Sequence, residues 1–115
     1  MAQNRMWEIV SSSPVVVFSK TYCGYCRRVK ELLTQAGAVY KAIDLDLERD
    51  GDLMQMELVE WTGGGTVPNL FIGGKHVGGF DDVFWKFQEG TLTGLLVDAG
   101  TITNNYCNSA QLNSM

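Results

Sequence analysis

The sequence has few cysteines, no long apolar run and no excess of basic residues, and each of these absences argues against one class of protein. Its 115 residues contain three cysteines, too few and too unevenly spaced for the disulfide framework of a small secreted domain. No stretch approaches the roughly 18 apolar residues that span a membrane, and the longest apolar run, 14–18, has the length of a strand. The net charge is -4, whereas nucleic-acid-binding domains are normally basic. We therefore expect neither a membrane nor a nucleic acid as partner.

An export signal is also missing from the N-terminal segment. Residues 1–13 lack the long apolar core of a secretory signal peptide. Together with the few cysteines, this predicts a reducing, cytoplasmic location, with an organelle as the alternative if a transit peptide has been removed. The length and the 45% hydrophobic content predict one globular domain over 1–100. The polar, aperiodic residues 101–115 are expected to form a disordered tail.

Charge is distributed unevenly along the chain. Residues 20–30 contain four cationic side chains and no acid, whereas residues 44–60 contain seven acids and one arginine. The acidic run is most simply a solvated surface. The basic run surrounds two cysteines, so it calls for a functional interpretation.

Apolar periodicity and turn residues predict alternating helices and strands. Helical patterns occupy 6–10, 23–36, 50–62, 81–90 and 91–99. Strand patterns occupy 14–19, 39–46 and the two arms of a hairpin over 69–79. This order predicts an α/β fold with a central four-stranded mixed sheet flanked by helices on both faces.

The last two helices carry the most specific local expectations. Asp81 or Asp82 is expected to be the N-cap of the first, which buries Phe84 and ends at Gly90. Thr91 is expected to cap the second. In the preceding helix, over 50–62, both methionines are expected to pack inward: Met54 and Met56.

Cys23 and Cys26 form a CxxC pair in the segment TYCGYCRR, where the first strand passes into its helix. A structural zinc ion would need four ligands, and only His76 and Cys107 remain as candidates, without a second CxxC or an HxxxH motif. A c-type haem would need histidine where Arg27 stands. An inert buried pair and a redox-active pair are the other interpretations.

The position of Cys23 favours the redox interpretation. A helix N-terminus presents unpaired N–H groups and the positive end of the helix dipole, and both stabilise a thiolate. Lys20, Arg27 and Arg28 add positive charge nearby. Cys26 lies one turn further into the helix and gains less from these effects. We therefore expect Cys23 to be the nucleophile and Cys26 the resolving thiol.

The segment Thr66–Asn69, TVPN, stands directly before the hairpin. An X–Pro bond is the one kind of peptide bond that adopts the cis form at low cost. A trans proline that opens a strand at a sheet margin is the ordinary alternative. The residues alone leave both conformations open for Val67–Pro68.

Three motifs in order, FSKTYCGYCRRVKELL, TVPNLFIGGKHVGG and FDD, closely resemble the dithiol glutaredoxins, and the plant-type branch best. The resemblance covers residues 15–100. It implies a thioredoxin-like fold, glutathione as co-substrate, and a cis Val67–Pro68 bond facing the cysteines. It also implies a monomeric enzyme that reduces glutathione mixed disulfides and protein disulfides, with glutathionylated proteins as partners.

The resemblance assigns roles to individual residues. Cys23 would attack the mixed disulfide and become glutathionylated, and Cys26 would be needed for protein disulfides. Lys20 would bind the glycine carboxylate of glutathione, Val67 would pair with its cysteinyl backbone, and the turn at Gly79 would meet its γ-glutamyl end. The complete implied glutathione site is Lys20, Tyr25, Thr66, Val67, Pro68, Gly79, Phe80, Asp81 and Asp82.

Two departures from the family pattern matter. Gly63–Gly65 replaces a glutamine and polar residues that help to hold the glycine carboxylate, so we expect a looser loop and weaker glutathione binding. Gly24 stands where many members have proline. Related glutaredoxins without that proline can bridge a 2Fe–2S cluster between two protomers through the first cysteine and glutathione. This implies an alternative function, a cluster-binding homodimer with Cys23 as iron ligand, in Fe–S storage, transfer or sensing.

Overall fold

The computed structural model of the chain describes residues 2–101, and it contains the elements in the expected order. The helices are α1 (Ala2–Ser12), α2 (Gly24–Gln35), α3 (Gly51–Thr62), α4 (Phe80–Glu89) and α5 (Thr91–Asp98). The strands are β1 (Val15–Ser19), β2 (Lys41–Asp44), β3 (Asn69–Ile72) and β4 (Lys75–Gly78). None of the helices within residues 2–101 is long and apolar enough to cross a membrane. The predicted tail, except Thr101, and Cys107 lie outside the described residues.

The four strands form one mixed sheet in the order β2-β1-β3-β4. β1 and β2 are parallel and are joined by α2, as expected for a βαβ unit. β3 runs antiparallel to β1 and continues through the hairpin into β4. The predicted α/β fold is therefore confirmed. β1 is an interior strand of the sheet, and the chain that leaves it leads to the two cysteines.

Helices cover both faces of this sheet and create two apolar cores. Alternate residues of β1 face opposite sides, so Val15 and Val17 belong to one core and Val16 and Phe18 to the other. The first core includes residues of α2, α4 and α5, and the second includes residues of α1 and α3. Burial on both faces explains why the sequence of β1 is continuously apolar rather than alternating.

The expected starts of the last two helices are wrong by one or more residues. The N-cap of α4 is Gly79, and Asp82 is its third helical residue, whose carboxylate accepts a hydrogen bond from the Gly79 N–H at 3.3 Å. The N-cap of α5 is Gly90, which adopts the left-handed conformation and also ends α4. One glycine therefore serves both helices, and Thr91 is already helical.

Two burial expectations also need correction. Met54 is fully buried as expected, but Met56 is 64% exposed because it lies on the outer face of α3. Phe84 is only half-buried, since it packs against Phe80 and Trp85 along the surface of α4 rather than in the core. These two errors arise because several apolar residues on each helix compete for one inward face.

Candidate active site

Cys23 lies between β1 and α2 and is the N-cap residue of that helix. Its backbone is extended, and its sulfur accepts a hydrogen bond from the Cys26 N–H at 3.1 Å. Its own N–H donates to the carbonyl oxygen of Lys20 at 3.1 Å. The sulfur thus occupies the place that an anionic N-cap side chain takes, where helix N–H groups and the helix dipole stabilise negative charge.

Cys26 is in a different environment although it is three residues away. Its side chain is 1% exposed and belongs to the buried face of α2. Burial, and to a smaller extent its hydrogen bond with the Cys23 sulfur, raises the pKa of the Cys26 thiol from 9.0 to about 12. The two sulfurs are not joined in a disulfide, and Cys23 is the more exposed of them. The pair is therefore chemically asymmetric.

The Val67–Pro68 peptide bond is cis, in agreement with the family resemblance and not with the trans alternative. The carbonyl oxygen of Val67 lies 3.8 Å from the Cys23 sulfur. Pro68 is buried and β3 begins directly after it. The loop before β3 is thereby placed beside the exposed sulfur.

A cavity of about 460 Å³ opens next to Cys23. It brings together eight of the nine residues that the resemblance implies for glutathione, from three separate parts of the chain. They are Tyr25, Thr66, Val67, Pro68, Gly79, Phe80, Asp81 and Asp82. Lys20, the ninth, does not line the cavity; it is half-buried, at the exit of β1.

The two aspartates at the start of α4 have different surroundings. The Asp82 carboxylate folds back over Gly78 and binds the Gly79 N–H. A Cβ atom on Gly78 would lie 2.1 Å from Asp82 Oδ2, and Gly78 has a φ of +132°, so glycine is needed there on both counts. Asp81 is exposed in the first helical turn and lines the cavity. Asp81 and the helix N-terminus can therefore offer a ligand a carboxylate and N–H groups together.

Aromatic rings form one wall of the cavity and continue away from it along α4. The ring centres of Tyr25 and Phe80 are 5.1 Å apart, and those of Phe80 and Phe84 are 5.7 Å apart. Trp85, 60% exposed, meets Phe84 edge to face at 5.3 Å. The guanidinium of Arg28 lies 5.1 Å from the centre of the Phe80 ring, a cation–π distance. These contacts fix the orientation of the wall.

The Gly63–Gly65 loop has no side chains of its own, but side chains from other elements bind its backbone. Gln55 of α3 donates to the Gly65 carbonyl at 2.8 Å, and Asn69 of β3 donates to the Gly64 carbonyl at 3.3 Å. The other end of the Asn69 amide lies 2.7 Å from His76 Nε2 on β4. The loop is therefore more constrained than its three glycines suggest.

One contact near the site was missed by sequence reasoning, which assigned the acidic run to a solvated surface. Asp46 accepts hydrogen bonds from both the N–H and the hydroxyl of Thr21, two residues before Cys23. The hydrogen bond from the Thr21 hydroxyl is the main reason why the pKa of the Asp46 carboxyl is lowered. A threonine before a cysteine carries no signal that identifies its partner 25 residues later, so only the fold reveals this contact.

Metal ligands are not clustered in the part of the chain that the structure describes. Residues 2–101 hold no group of three or more histidine, cysteine or acidic side chains that could bind a metal ion. The zinc interpretation therefore has no support from these residues. A metal ion bound through Cys23 would need further ligands from outside residues 2–101.

Comparison with known proteins gives consistent matches. A family profile for glutaredoxin matches residues 15–77. A glutaredoxin of Ricinus communis is 56% identical over 102 residues, which are 89% of this chain and 100% of the relative.

Two solved structures show the same similarity in three dimensions. The buckwheat glutaredoxin–glutathione complex superposes with a TM-score of 0.87 and 54% identity, over 90% of this chain and 94% of that one. The holo form of glutaredoxin C1 from Populus tremula x tremuloides has a TM-score of 0.83 and 59% identity, over 85% of this chain and 97% of that one. At these identities the similarity extends beyond the fold to the family.

Proposed function

Because this chain belongs to the glutaredoxin family of glutathione-dependent oxidoreductases, we propose that it reduces glutathione mixed disulfides on proteins, with Cys23 as the nucleophile. The observation that carries the proposal is the position of the Cys23 sulfur. It accepts a helix N–H at 3.1 Å and lies beside a cavity lined by the expected glutathione-binding residues. Glutathionylated proteins are the proposed partners, and a reducing compartment is the proposed location.

The proposed reaction proceeds by two exchanges. The Cys23 thiolate attacks the glutathione sulfur of the mixed disulfide, the old S–S bond breaks, and the protein sulfur leaves as a thiolate with the bonding electrons. A second glutathione thiolate then attacks the glutathione sulfur held on Cys23. Oxidised glutathione leaves and the Cys23 thiolate is restored. For each protein thiol released, one free glutathione is consumed and one molecule of oxidised glutathione is formed.

The cavity residues would bind the glutathione part of both disulfides. The Val67 backbone, next to the Cys23 sulfur, would pair with the cysteinyl unit. Asp81 and the N-terminus of α4 would bind the γ-glutamyl end, where the carboxylate meets N–H groups and the ammonium meets Asp81. The Lys20 ammonium would bind the glycine carboxylate from the edge of the site.

Cys26 would act only on protein disulfides, where no glutathione occupies the cavity. Attack by Cys26 on the disulfide between Cys23 and the target protein would release the target and leave a Cys23–Cys26 disulfide, which glutathione reduces. Because burial raises the pKa of the Cys26 thiol to about 12, its thiolate is scarce at neutral pH. We expect release by glutathione to be the faster route.

The test compares three serine variants in the reduction of a glutathionylated peptide at neutral pH. Cys23→Ser should abolish turnover, whereas Cys26→Ser should retain most of it. Cys107→Ser is the matched control, because it replaces a thiol outside the CxxC motif. Equal losses in Cys23→Ser and Cys26→Ser would contradict this division of roles. Turnover that proceeds with a thioredoxin reductase but without glutathione would instead indicate a thioredoxin-type enzyme.

A glutathione-ligated 2Fe–2S cluster shared by two copies of the chain is the second candidate function. The favouring observation is at Gly24, the first residue of α2, where a Cβ atom would meet nothing within 4 Å, so the helix start beside Cys23 is open. Cys23 of each chain and two glutathione thiolates would be the ligands, a sulfur-only set that suits such a cluster. When bound, the cluster would supply iron and sulfide for transfer or a redox signal.

Anaerobic purification with iron, sulfide and glutathione tests the second candidate. A brown dimer with visible absorbance supports it, and a colourless monomer excludes it. Gly24→Pro is the informative variant, because proline is tolerated at the first position of a helix. It should lose the colour and keep reductase activity, whereas Cys23→Ser should lose both.

A further inference from the structure

A second cavity shares Tyr25 with the proposed glutathione site. It has a volume of about 510 Å³ and is lined by Gly24, Tyr25, Arg27, Arg28 and Glu31. Tyr25 also lines the first cavity, so this one side chain is a common wall. The second cavity thus runs along the first turns of α2, directly after the nucleophile.

The charges around this cavity are arranged for an anion. Lys30, the nearest other cation on α2, forms an ion pair with Asp44 at 3.6 Å. Arg27 and Arg28 are exposed, and among residues 2–101 no carboxylate forms a salt bridge with either of them. Glu31 is the one carboxylate in the lining, so the two guanidinium groups outnumber it.

Arg28 is also held in place. Its guanidinium lies 5.1 Å from the centre of the Phe80 ring, and Phe80 in turn packs against Tyr25 with 5.1 Å between ring centres. A guanidinium fixed by stacking loses less side-chain entropy when it binds a carboxylate than a free one does. The cavity is therefore partly preorganised for a carboxylate at a short distance from the reacting sulfur.

We propose that Arg27 and Arg28 bind an acidic side chain of the glutathionylated polypeptide, close to its modified cysteine. This inference rests on the proposed function and adds a substrate specificity to it, a preference for acidic residues near the modified cysteine. The glutathione part of the mixed disulfide occupies the first cavity, so the polypeptide part lies along its rim. The rim formed by α2 is basic, whereas the rim formed by the start of α4 carries Asp81 and Asp82.

The net charge of the protein predicts the opposite preference, for basic rather than acidic substrates. The chain has a net charge of -4, so long-range electrostatics disfavour an acidic substrate. A preference for acid next to the cysteine would therefore report a local interaction. Screening should weaken it as the salt concentration rises, because the arginines are exposed.

The experiment uses two glutathionylated peptides that differ only in the residues flanking the cysteine, two glutamates in one and two glutamines in the other. The measured quantity is the ratio of their kcat/KM values with the full-length enzyme. We expect the glutamate peptide to be reduced about fivefold more efficiently at low salt, the size of effect that one or two exposed ion pairs give. The ratio should fall toward one at high salt.

Arginine variants locate the preference. Arg27→Gln and Arg28→Gln should each lower the ratio, and the double variant should bring it to about one. Arg49→Gln removes another exposed arginine, which lies outside the cavity lining, and is the matched control, which should keep the ratio. The ratio is the right quantity because any effect of the arginines on Cys23 reactivity is common to both peptides and cancels.

Three results would overturn the inference: equal rates for both peptides, an equal loss of preference in Arg49→Gln, or a preference retained in the double arginine variant. A rise in the KM for glutathione itself in the arginine variants, with the peptide ratio unchanged, would assign these side chains to glutathione instead. The mixed disulfide of glutathione and 2-mercaptoethanol has no flanking residues. Its reduction therefore tests the proposed function independently of the preference for acidic peptides. If it is not reduced at all, the proposed function fails.

Discussion

At the scale of single residues, the two thiols differ because one lies at the end of a helix and the other inside its buried face. The Cys23 sulfur accepts an N–H hydrogen bond and lies beside the cavity residue Val67, whereas Cys26 is buried on the inner face of α2. The N-terminus of α2 therefore offers N–H groups to the Cys23 sulfur, whereas the buried face of the same helix shields Cys26 from solvent.

The protected state of Cys26 predicts its response to an alkylating reagent. Its folded pKa of about 12 lies above the ordinary 9.0, so the thiol form persists well above neutral pH. Iodoacetamide should label Cys26 at pH 8 far more slowly in the native protein than in urea, as measured by mass spectrometry of the peptides. Similar rates in both states would contradict burial as the cause.

The same shift has a consequence for stability. Because the folded pKa of Cys26 is raised, the contribution of this thiol to the free energy of unfolding is fully present below about pH 9. It is lost as the pH rises toward 12, since only the unfolded chain then releases the proton readily. Urea denaturation across this range should show the decline. The decline should be smaller in Cys26→Ser, which has no thiol to ionise there.

Lys20 is the residue whose predicted role depends most on side-chain reach. It is half-buried at the exit of β1 and lies outside the cavity lining, yet its four-carbon chain ends in a mobile ammonium. Lys20→Ala should raise the KM for glutathione a few-fold with a smaller effect on kcat, as expected for loss of one exposed charge contact. Arg49→Ala is the control. An unchanged KM would mean that the glycine carboxylate is bound elsewhere.

At the scale of elements, the loop before β3 is positioned by the strands that follow it. His76 on β4 binds Asn69 on β3, and Asn69 binds the Gly64 carbonyl, so a short chain of hydrogen bonds links the hairpin to the loop. The loop then supplies Thr66 and Val67 to the cavity. The hairpin thus contributes to the site without touching it.

This chain of hydrogen bonds predicts an effect of His76 on glutathione binding. His76→Phe should raise the KM for glutathione about fivefold and leave kcat nearly unchanged, since one net hydrogen bond is worth about 1 kcal/mol. His76→Gln can still donate to Asn69 and should restore the KM. Lys75→Gln, on the same strand, is the control. If kcat and KM change equally in both His76 variants, the effect is not one of loop position.

Local signals predicted the elements well but their ends and connections poorly. Cys23 at a helix start follows from a strand, a CxxC motif and helical spacing in one stretch of chain. The N-cap of α4 was misassigned, because two aspartates mimic a cap while the carboxylate of Asp82 acts from inside the helix on Gly79. The Thr21–Asp46 and Asn69–Gly64 contacts depend on folded positions, for which the sequence has no local pattern.

At the scale of the whole molecule, one sheet joins two cores that are otherwise separate. Leu33 of α2 and Leu58 of α3 are both fully buried, but on opposite faces of the sheet. Because β1 has side chains in both cores, loss of either core should release the shared strand. We expect the two faces to unfold together.

Leucine-to-alanine substitutions test this coupling. Leu33→Ala and Leu58→Ala should each cost about 2–5 kcal/mol in the free energy of unfolding. Leu53→Ala, at a position of α3 that is 54% exposed, should cost less than about 1 kcal/mol. Circular dichroism and tryptophan fluorescence should report one transition in urea for every variant. Two separate transitions would show that the cores unfold independently.

The order of the strands has a last consequence, for contacts between molecules. The two edges of the sheet are β2 and β4, each only four residues long and each beginning with an exposed lysine, Lys41 or Lys75. The pairing of β4 with β3 also shifts register near Leu70 and Phe71. Short length, positive charge and an irregular edge all hinder strand addition by a second copy. The sheet is thus protected from edge-to-edge aggregation at its two open sides, while Cys23 follows β1, which is an interior strand.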